Sequence, residues 1–302
     1  MNLLKAGKMT EKQARRYLEK VRWPNGPVCP HCGSGKKAYL LKGKSTRPGV
    51  YSCATCRRQF TITIGTVMEN THLPLRTWLM AFSLMCSAKK GISALQLQRD
   101  LDIGSYKTAW RMLRQVRKAM SNIEHGKIFE AIVEIDETYI GGKPRKKNRK
   151  DSDDKPSKRG RGTKKNPVIG IVDREKKKVY ARVSLPNKEG KELSGNQLLG
   201  ILNEICKNNA TVITDEFTGY SILRKTKYVH LVIDHTKGFV DDFVHTNNVE
   251  SFWAILKRGV YGIYHHVSIK YLQNYVNEFC FRFNNRENGD MFDLVLKQAV
   301  LA

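Results

Sequence analysis

The chain is short of negative charge. Its 302 residues carry 28 Asp and Glu against 54 Lys and Arg, a formal charge of +26 at pH 7. A cationic excess of that size attracts a polyanion, and neutralising phosphates releases counterions, so binding is strong and salt-sensitive. Nucleic acid is the expected partner. Long apolar runs are missing too: none approaches the roughly twenty residues a membrane helix needs, and no apolar signal segment opens the chain. The expectation is a soluble, unexported protein, cytoplasmic and close to the nucleoid. Apolar residues still make up 40% of the chain, which excludes wholesale disorder, and the length allows roughly two or three domains.

A disulfide framework is also lacking. The count of seven cysteines is odd, and four of them pair by spacing, which argues for metal in a reducing compartment. CPHC (Cys29, Cys32) and CATC (Cys53, Cys56) are two C-x-x-C knuckles about twenty residues apart, the pattern of a four-thiolate zinc ribbon. Each knuckle aims two sulfurs at one ion, and Tyr51 and Phe60 can cover it. A redox role expects a single pair beside a βαβ unit. Four thiolates close a tetrahedral Zn2+ site, so His31 inside the first knuckle is a bystander. Cys86, Cys206 and Cys280 sit in apolar helical contexts and read as small buried residues.

Organisation follows from pattern. Residues 1–25 read as an N-terminal helix, 26–65 as the ribbon, 70–122 as helical, 128–290 as alternating strands and helices (an α/β core), and 291–302 as a C-terminal helix. Within 70–122, helices are expected over 75–88, 92–102 and 106–120, with a short IGS turn before the last and Ser105 as its cap. Ala109, Met112, Leu113 and Val116 face inward on that helix. Lys107, Arg111, Arg114, Arg117 and Lys118 face out. Helix, short turn and basic helix is a helix-turn-helix-like layout, with Lys107, Arg111 and Arg114 as candidate DNA contacts in the major groove. An ordinary packing unit with a solvated basic face is the alternative.

In the core, IVEIDETYIGG (132–142) and ATVITDEFTGY (210–220) repeat one device: an apolar strand that runs out into Asp-Glu, with an aromatic and Gly behind. Asp136 and Asp215 come side by side if the two strands are neighbours. Their repulsion calls for a divalent cation, and hard carboxylate oxygens favour Mg2+ or Mn2+. In NNVESFWAILKR (247–258), Glu250 and Lys257 are seven apart, about two turns along one helical face. Glu250 is the candidate third ligand, Lys257 a phosphate contact, and Arg258 beside it a further DNA contact. Asn247 lies on the same face. Two such metals clamp the attacking and leaving oxygens of an in-line phosphoryl displacement.

With these residues in hand, the chain resembles a DDE-class bacterial insertion-sequence transposase of the group with an N-terminal zinc ribbon. The resemblance rests on the ribbon at 29–56, on Asp136 in IDETYIGG, Asp215 in ITDEFTGY, Glu250 and Lys257 in HTNNVESFWAILKRGVYG, and on LQNYVNEFCFRFNNRE (272–287). It implies an RNase H-like catalytic core akin to retroviral integrases. It implies cutting at the ends of a mobile element, joining of 3′ ends to target DNA, double-stranded DNA as partner and a homo-oligomeric complex. Asp136, Asp215 and Glu250 become ligands of two Mg2+ or Mn2+ ions, and Lys257 joins them in catalysis. Some members carry Asn at the third position, so Asn247 and Asn248 are alternatives. Asp234, Asp241 and Asp242 are rival acids without the lysine partner. Glu137 and Glu216 point away from the ligands on an extended strand.

KPRKKNRKDSDDKPSKRGRGTKK (143–165) has no apolar anchor. It reads as a flexible basic insertion that contacts phosphates, with Lys146, Arg149, Arg159 and Arg161 as candidates. His265 and His266 lack a metal-binding partner and are assigned to packing or DNA contact. Two rival functions remain: a non-catalytic DNA-binding regulator derived from such an enzyme, and a nuclease that cuts without joining.

Overall fold

The computed structural model describes residues 1–35, 37–121, 129–141, 165–185, 193–233 and 244–301. The chain divides into two compact units, one of Met1–Asn122 with Glu287–Ala302 and one of Ile123–Arg286.

The first unit opens with α1 (Leu3–Gly7) and α2 (Glu11–Arg22), where the sequence suggested one helix. The division is local chemistry. The Thr10 hydroxyl accepts the Gln13 N–H at 3.3 Å and the Gln13 side chain accepts the Thr10 N–H at 2.7 Å, a capping box that starts a new helix. Strands β1 (Ala38–Leu40), β2 (Tyr51–Cys53) and β3 (Gln59–Phe60) form a small antiparallel sheet. Trp23 meets Tyr51 and Phe60 edge-on while those two rings stack. Helices α3 (Leu75–Ser87), α4 (Ala94–Asp100) and α5 (Tyr106–Met120) follow. Ser105 holds the cap position of α5, but its hydroxyl makes no cap bond.

The second unit is a mixed sheet with helices on both faces. Its strands are β4 (Ile132–Ile140), β5 (Asn166–Asp173), β6 (Lys178–Val183), β7 (Thr211–Thr214) and β8 (Val229–Val232), in the order β6-β5-β4-β7-β8. Strand β5 runs antiparallel to β4 and β6; β7 runs parallel to β4 and β8. Val133 and Ile135 of β4 join Ile169, Ile171 and Val212 in a core with α6 (Gly195–Ile205) and the 3₁₀ segment Thr218–Lys225. The other face places Val168, Val172 and Ile140 against α7 (Asn247–Gly259) and α8 (Ile269–Asn284). Period-two alternation along β4 and β5 therefore feeds two separate cores.

Helix α9 (Met291–Leu301) closes the chain and packs with α2, α3 and α5 in the first unit. That overturns one expectation. Arg117, read as solvent-facing, is only 2% exposed: α5 has α3, α4 and α9 as neighbours, and the wider buried arc takes it in. Lys107, Arg111, Arg114 and Lys118 are exposed, as expected. Among the described residues no helix is long and apolar enough to cross a membrane.

Candidate active site

The sequence led us to expect the first strand to end at Asp136. It does not. Strand β4 continues through Asp136 to Ile140, held by antiparallel pairing with β5 as far as Ile140↔Asn166. What ends is the parallel partner. Its pairing runs from Ile132↔Thr211 to Glu134↔Ile213 and β7 stops at Thr214. The same register carried two residues further sets Asp136 opposite Asp215. One strand runs on while its neighbour turns away, which opens a gap in the sheet beside Asp136.

Asp136 lies on the sheet face covered by α7. The indole N–H of Trp253 donates to Asp136 Oδ2 at 2.9 Å, and the Glu137 N–H donates to Oδ1 at 2.7 Å. The Asp215 carboxylate accepts the Phe217 N–H at 3.1 Å, a turn that points the chain away from the strand. Burial pushes the Asp136 carboxyl up to about 7; the charges of Glu137 and Asp215 push the same way, against the Glu137 N–H and the Trp253 indole. Glu250, in the first turn of α7, is exposed and accepts the Thr246 hydroxyl at 3.0 Å. Lys257 and Arg258 are exposed in the last turn.

Asp136, Asp215 and Glu250 are not drawn into one knot. Among the described residues, the four ribbon cysteines alone form a group whose ligand atoms all lie within 4.8 Å of one another. The donor chemistry at 136 nevertheless suits a hard cation. The carboxyl is held up by burial and neighbouring negative charge, and an added positive charge relieves both. Glu137 faces the other way, as expected, and accepts the hydroxyl of buried Tyr220 at 3.0 Å. That phenol is pushed well above its usual value by burial first, then by the charges of Glu137, Asp136 and Asp215.

Three contributors went unread in the sequence. Trp253 was not singled out in its helix. Gly170 sits opposite Asp136 in the ladder, where a Cβ would come within 2.6 Å of the Trp253 ring. Glu134 is fully buried under the start of α7. A signal for it existed: a Glu between Val133 and Ile135 in an inner strand is rare unless paired. Asn248, an alternative third ligand, spends its amide on Glu134 at 2.7 Å. Asp234, Asp241, Asp242, Lys146, Arg149, Arg159 and Arg161 lie outside the described residues.

The ribbon is a closed site by contrast. Cys29 and Cys56 sulfurs lie 3.7 Å apart, as do those of Cys32 and Cys53. Backbone N–H groups of Cys56 and Thr55 hold the Cys53 thiol down at about 6. Four sulfurs gathered by two knuckles and a three-stranded sheet fit a structural Zn2+. His31 is exposed and its Nε2 lies 3.2 Å from the Gln59 carbonyl, outside the cluster. Cys206 and Cys280 are buried, and Cys86 is half-buried.

Two parts of the chain match known families. Residues 128–284 match the ISXO2-like transposase domain model, and residues 9–59 match the transposase zinc-ribbon domain model. A protein of transposable element ISH50 from Halobacterium salinarum is 30% identical over 257 residues, 83% of each chain. A transposase-like protein of Haemophilus influenzae is 30% identical over 123 residues, 41% of this chain and 94% of its own length. Solved structures are similar only loosely. A chain of a simian T-cell lymphotropic virus intasome bound to the PP2A regulatory subunit B56 gamma has a TM-score of 0.31 at 13% identity over 66% of each chain. A chain of a pre-cleavage Mos1 transpososome has a TM-score of 0.27 at 10% identity, covering 97% of this chain and 94% of that one. Neither likeness carries an argument. The family models and the Halobacterium relative suffice: the chain belongs to the ISXO2-like transposases of the IS1595 group, with their N-terminal zinc ribbon.

Proposed function

We propose that this transposase is a DDE-type enzyme with an RNase H-like core, which binds the ends of a mobile element, cuts there and joins the freed 3′ ends to target DNA. The observation that supports the reading is that β4 and β7 are neighbouring parallel strands, paired as far as Glu134↔Ile213, with Asp136 and Asp215 each two residues beyond that last pair and the charge of Asp215 acting on Asp136. Asp136, Asp215 and Glu250 would hold two Mg2+ or Mn2+ ions. Such ions, when bound, supply Lewis acidity and a water or 3′-hydroxyl nucleophile at neutral pH.

The rest is the work of this chain's own residues. Trp253 fixes one oxygen of Asp136 and leaves the carboxylate oriented before substrate arrives. Thr246 does the same for Glu250. Lys257, two turns along the same helix, offers a cation to a substrate phosphate. Lys107, Arg111 and Arg114 line the exposed side of α5 and present it to the major groove of double-stranded DNA. The ribbon cysteines hold Zn2+ and shape the fold around it. Binding two element ends at once calls for a homo-oligomer.

A donor plasmid carrying the gene, its natural flanking DNA and a marker tests this in cells. Sequenced junctions with short target duplications are expected from the wild type and none from Glu250→Gln. Specific DNA binding with no junctions from the wild type would support the regulator, and cleavage without joined products would support the nuclease.

A further inference from the structure

Strand β4 grips α7 twice. Asp136 does so through Trp253. Two residues earlier, on the same face, Glu134 does so through the start of the helix: Oε2 accepts the backbone N–H groups of Asn248 at 2.9 Å and Val249 at 3.0 Å, and Oε1 accepts the Asn248 amide at 2.7 Å. Arg174, just beyond β5, donates its Nε to the same Oε1 at 2.7 Å and an Nη2 to the His245 carbonyl at 2.5 Å. His245 Nδ1 lies 3.4 Å from Oε1. The carboxylate is 0% exposed.

The Asn248 and Val249 backbone N–H groups, the Asn248 amide and Arg174 Nε are all donors, so the group they require is an acceptor at both oxygens. A negative charge at a helix N-terminus is favoured by the helix dipole and satisfies N–H groups that have no partner within the helix. The spacing is also matched. Two residues along a strand span roughly 6.6 Å, and the four or five helix residues from Val249 or Asn248 to Trp253 rise roughly 6–7.5 Å. Glu134 and Asp136 therefore pin α7 at two points one turn or so apart, which removes sliding and rotation together. Glu250 is the residue immediately after the pinned pair.

We propose that Glu134 is the positioning residue of the carboxylate site: it docks the first turn of α7 on β4 and so fixes where Glu250 stands relative to Asp136. The inference rests on the transposase reading, since it assigns Glu134 to placing that reading's third acid. Glu134 itself accepts four N–H groups and has no oxygen left for a cation.

Mn2+ binding to the purified full chain, with zinc in place, tests it. Binding lost in Asp136→Asn defines the carboxylate site. Glu134→Gln puts an NH2 against the Asn248 amide and Arg174, and is expected to weaken that binding about 10–100-fold at temperatures well below its unfolding midpoint. Adding Asn248→Asp gives the new NH2 an acceptor, so Glu134→Gln with Asn248→Asp should recover most of the loss. If Glu134→Gln does not fold, Asn248→Ala removes one donor and leaves the backbone pair, with an expected weakening of about fivefold. D136N-sensitive binding at wild-type strength in Glu134→Gln, or in Asn248→Ala, overturns the inference and spares the transposase reading. So does a double variant no better than Glu134→Gln. A wild type with no D136N-sensitive Mn2+ binding overturns both.

Discussion

The ribbon gathers the ligands of a structural metal, the core carries the acids we propose hold a catalytic one, and the two are arranged in opposite ways. The ribbon draws its four sulfurs from residues 29–56, and they lie within 4.8 Å of one another. The core carries its candidate acids on β4, just past the end of β7 and on α7, at 136, 215 and 250, each with a hydrogen bond of its own, to Trp253, Phe217 and Thr246 respectively. A structural site is completed by its protein ligands. The proposed site, which must admit substrate oxygens, keeps its carboxylates oriented but open, and Trp253, Thr246 and Glu134 would supply the precision.

The largest effect that can break this contrast is on the ribbon. Zinc removal, or Cys53→Ser, should unfold it, because apparent binding energies for such sites are about 10–16 kcal/mol. The check is loss of the near-ultraviolet signal of the Trp23, Tyr51 and Phe60 cluster on adding a chelator, with recovery on adding zinc. The core should behave differently, keeping its fold without a divalent cation. Trp253→Phe keeps most of the buried ring and removes the bond to Asp136. It should lower Mn2+ affinity at the carboxylate site about 10–100-fold while the zinc content stays unchanged.

Gly170→Ala sharpens the comparison at the packing level. The new Cβ would meet Trp253 at 2.6 Å and Val249 at 3.3 Å. Because the Trp253 ring is buried and cannot swing away, denaturant unfolding should show a loss of about 1–3 kcal/mol. The smallest expected effect is on DNA. Arg111→Ser should reduce the log–log salt slope of binding by about one, and an unchanged slope would remove Arg111 from the interface.

These contrasts also explain what could be read from the sequence. The ribbon was legible in full because its chemistry is local: two short turns carry the ligands. The candidate acids were legible as residues, and the helix limits of α5 were read to the residue, Tyr106–Met120. The surroundings were not. That β4 outruns β7, that Gly170 lies across from Asp136 and that Glu134 lies under α7 all depend on pairing between segments about 35 to 115 residues apart, and periodicity within one strand is silent on its neighbours. Arg117 failed for the same reason: α5 packs with a helix from the far end of the chain, next to it only in the folded unit.

The central claim is that three acids from three elements make one cation-dependent centre. Its most direct measurement is Mn2+-dependent cleavage and joining of DNA that carries the element's end, by purified wild type and by Asp136→Asn, Asp215→Asn and Glu250→Gln separately. Each substitution should lower the rate by at least about a hundredfold while leaving zinc content and end binding intact. A variant at any of the three positions that keeps the wild-type rate and Mn2+ dependence would contradict the account.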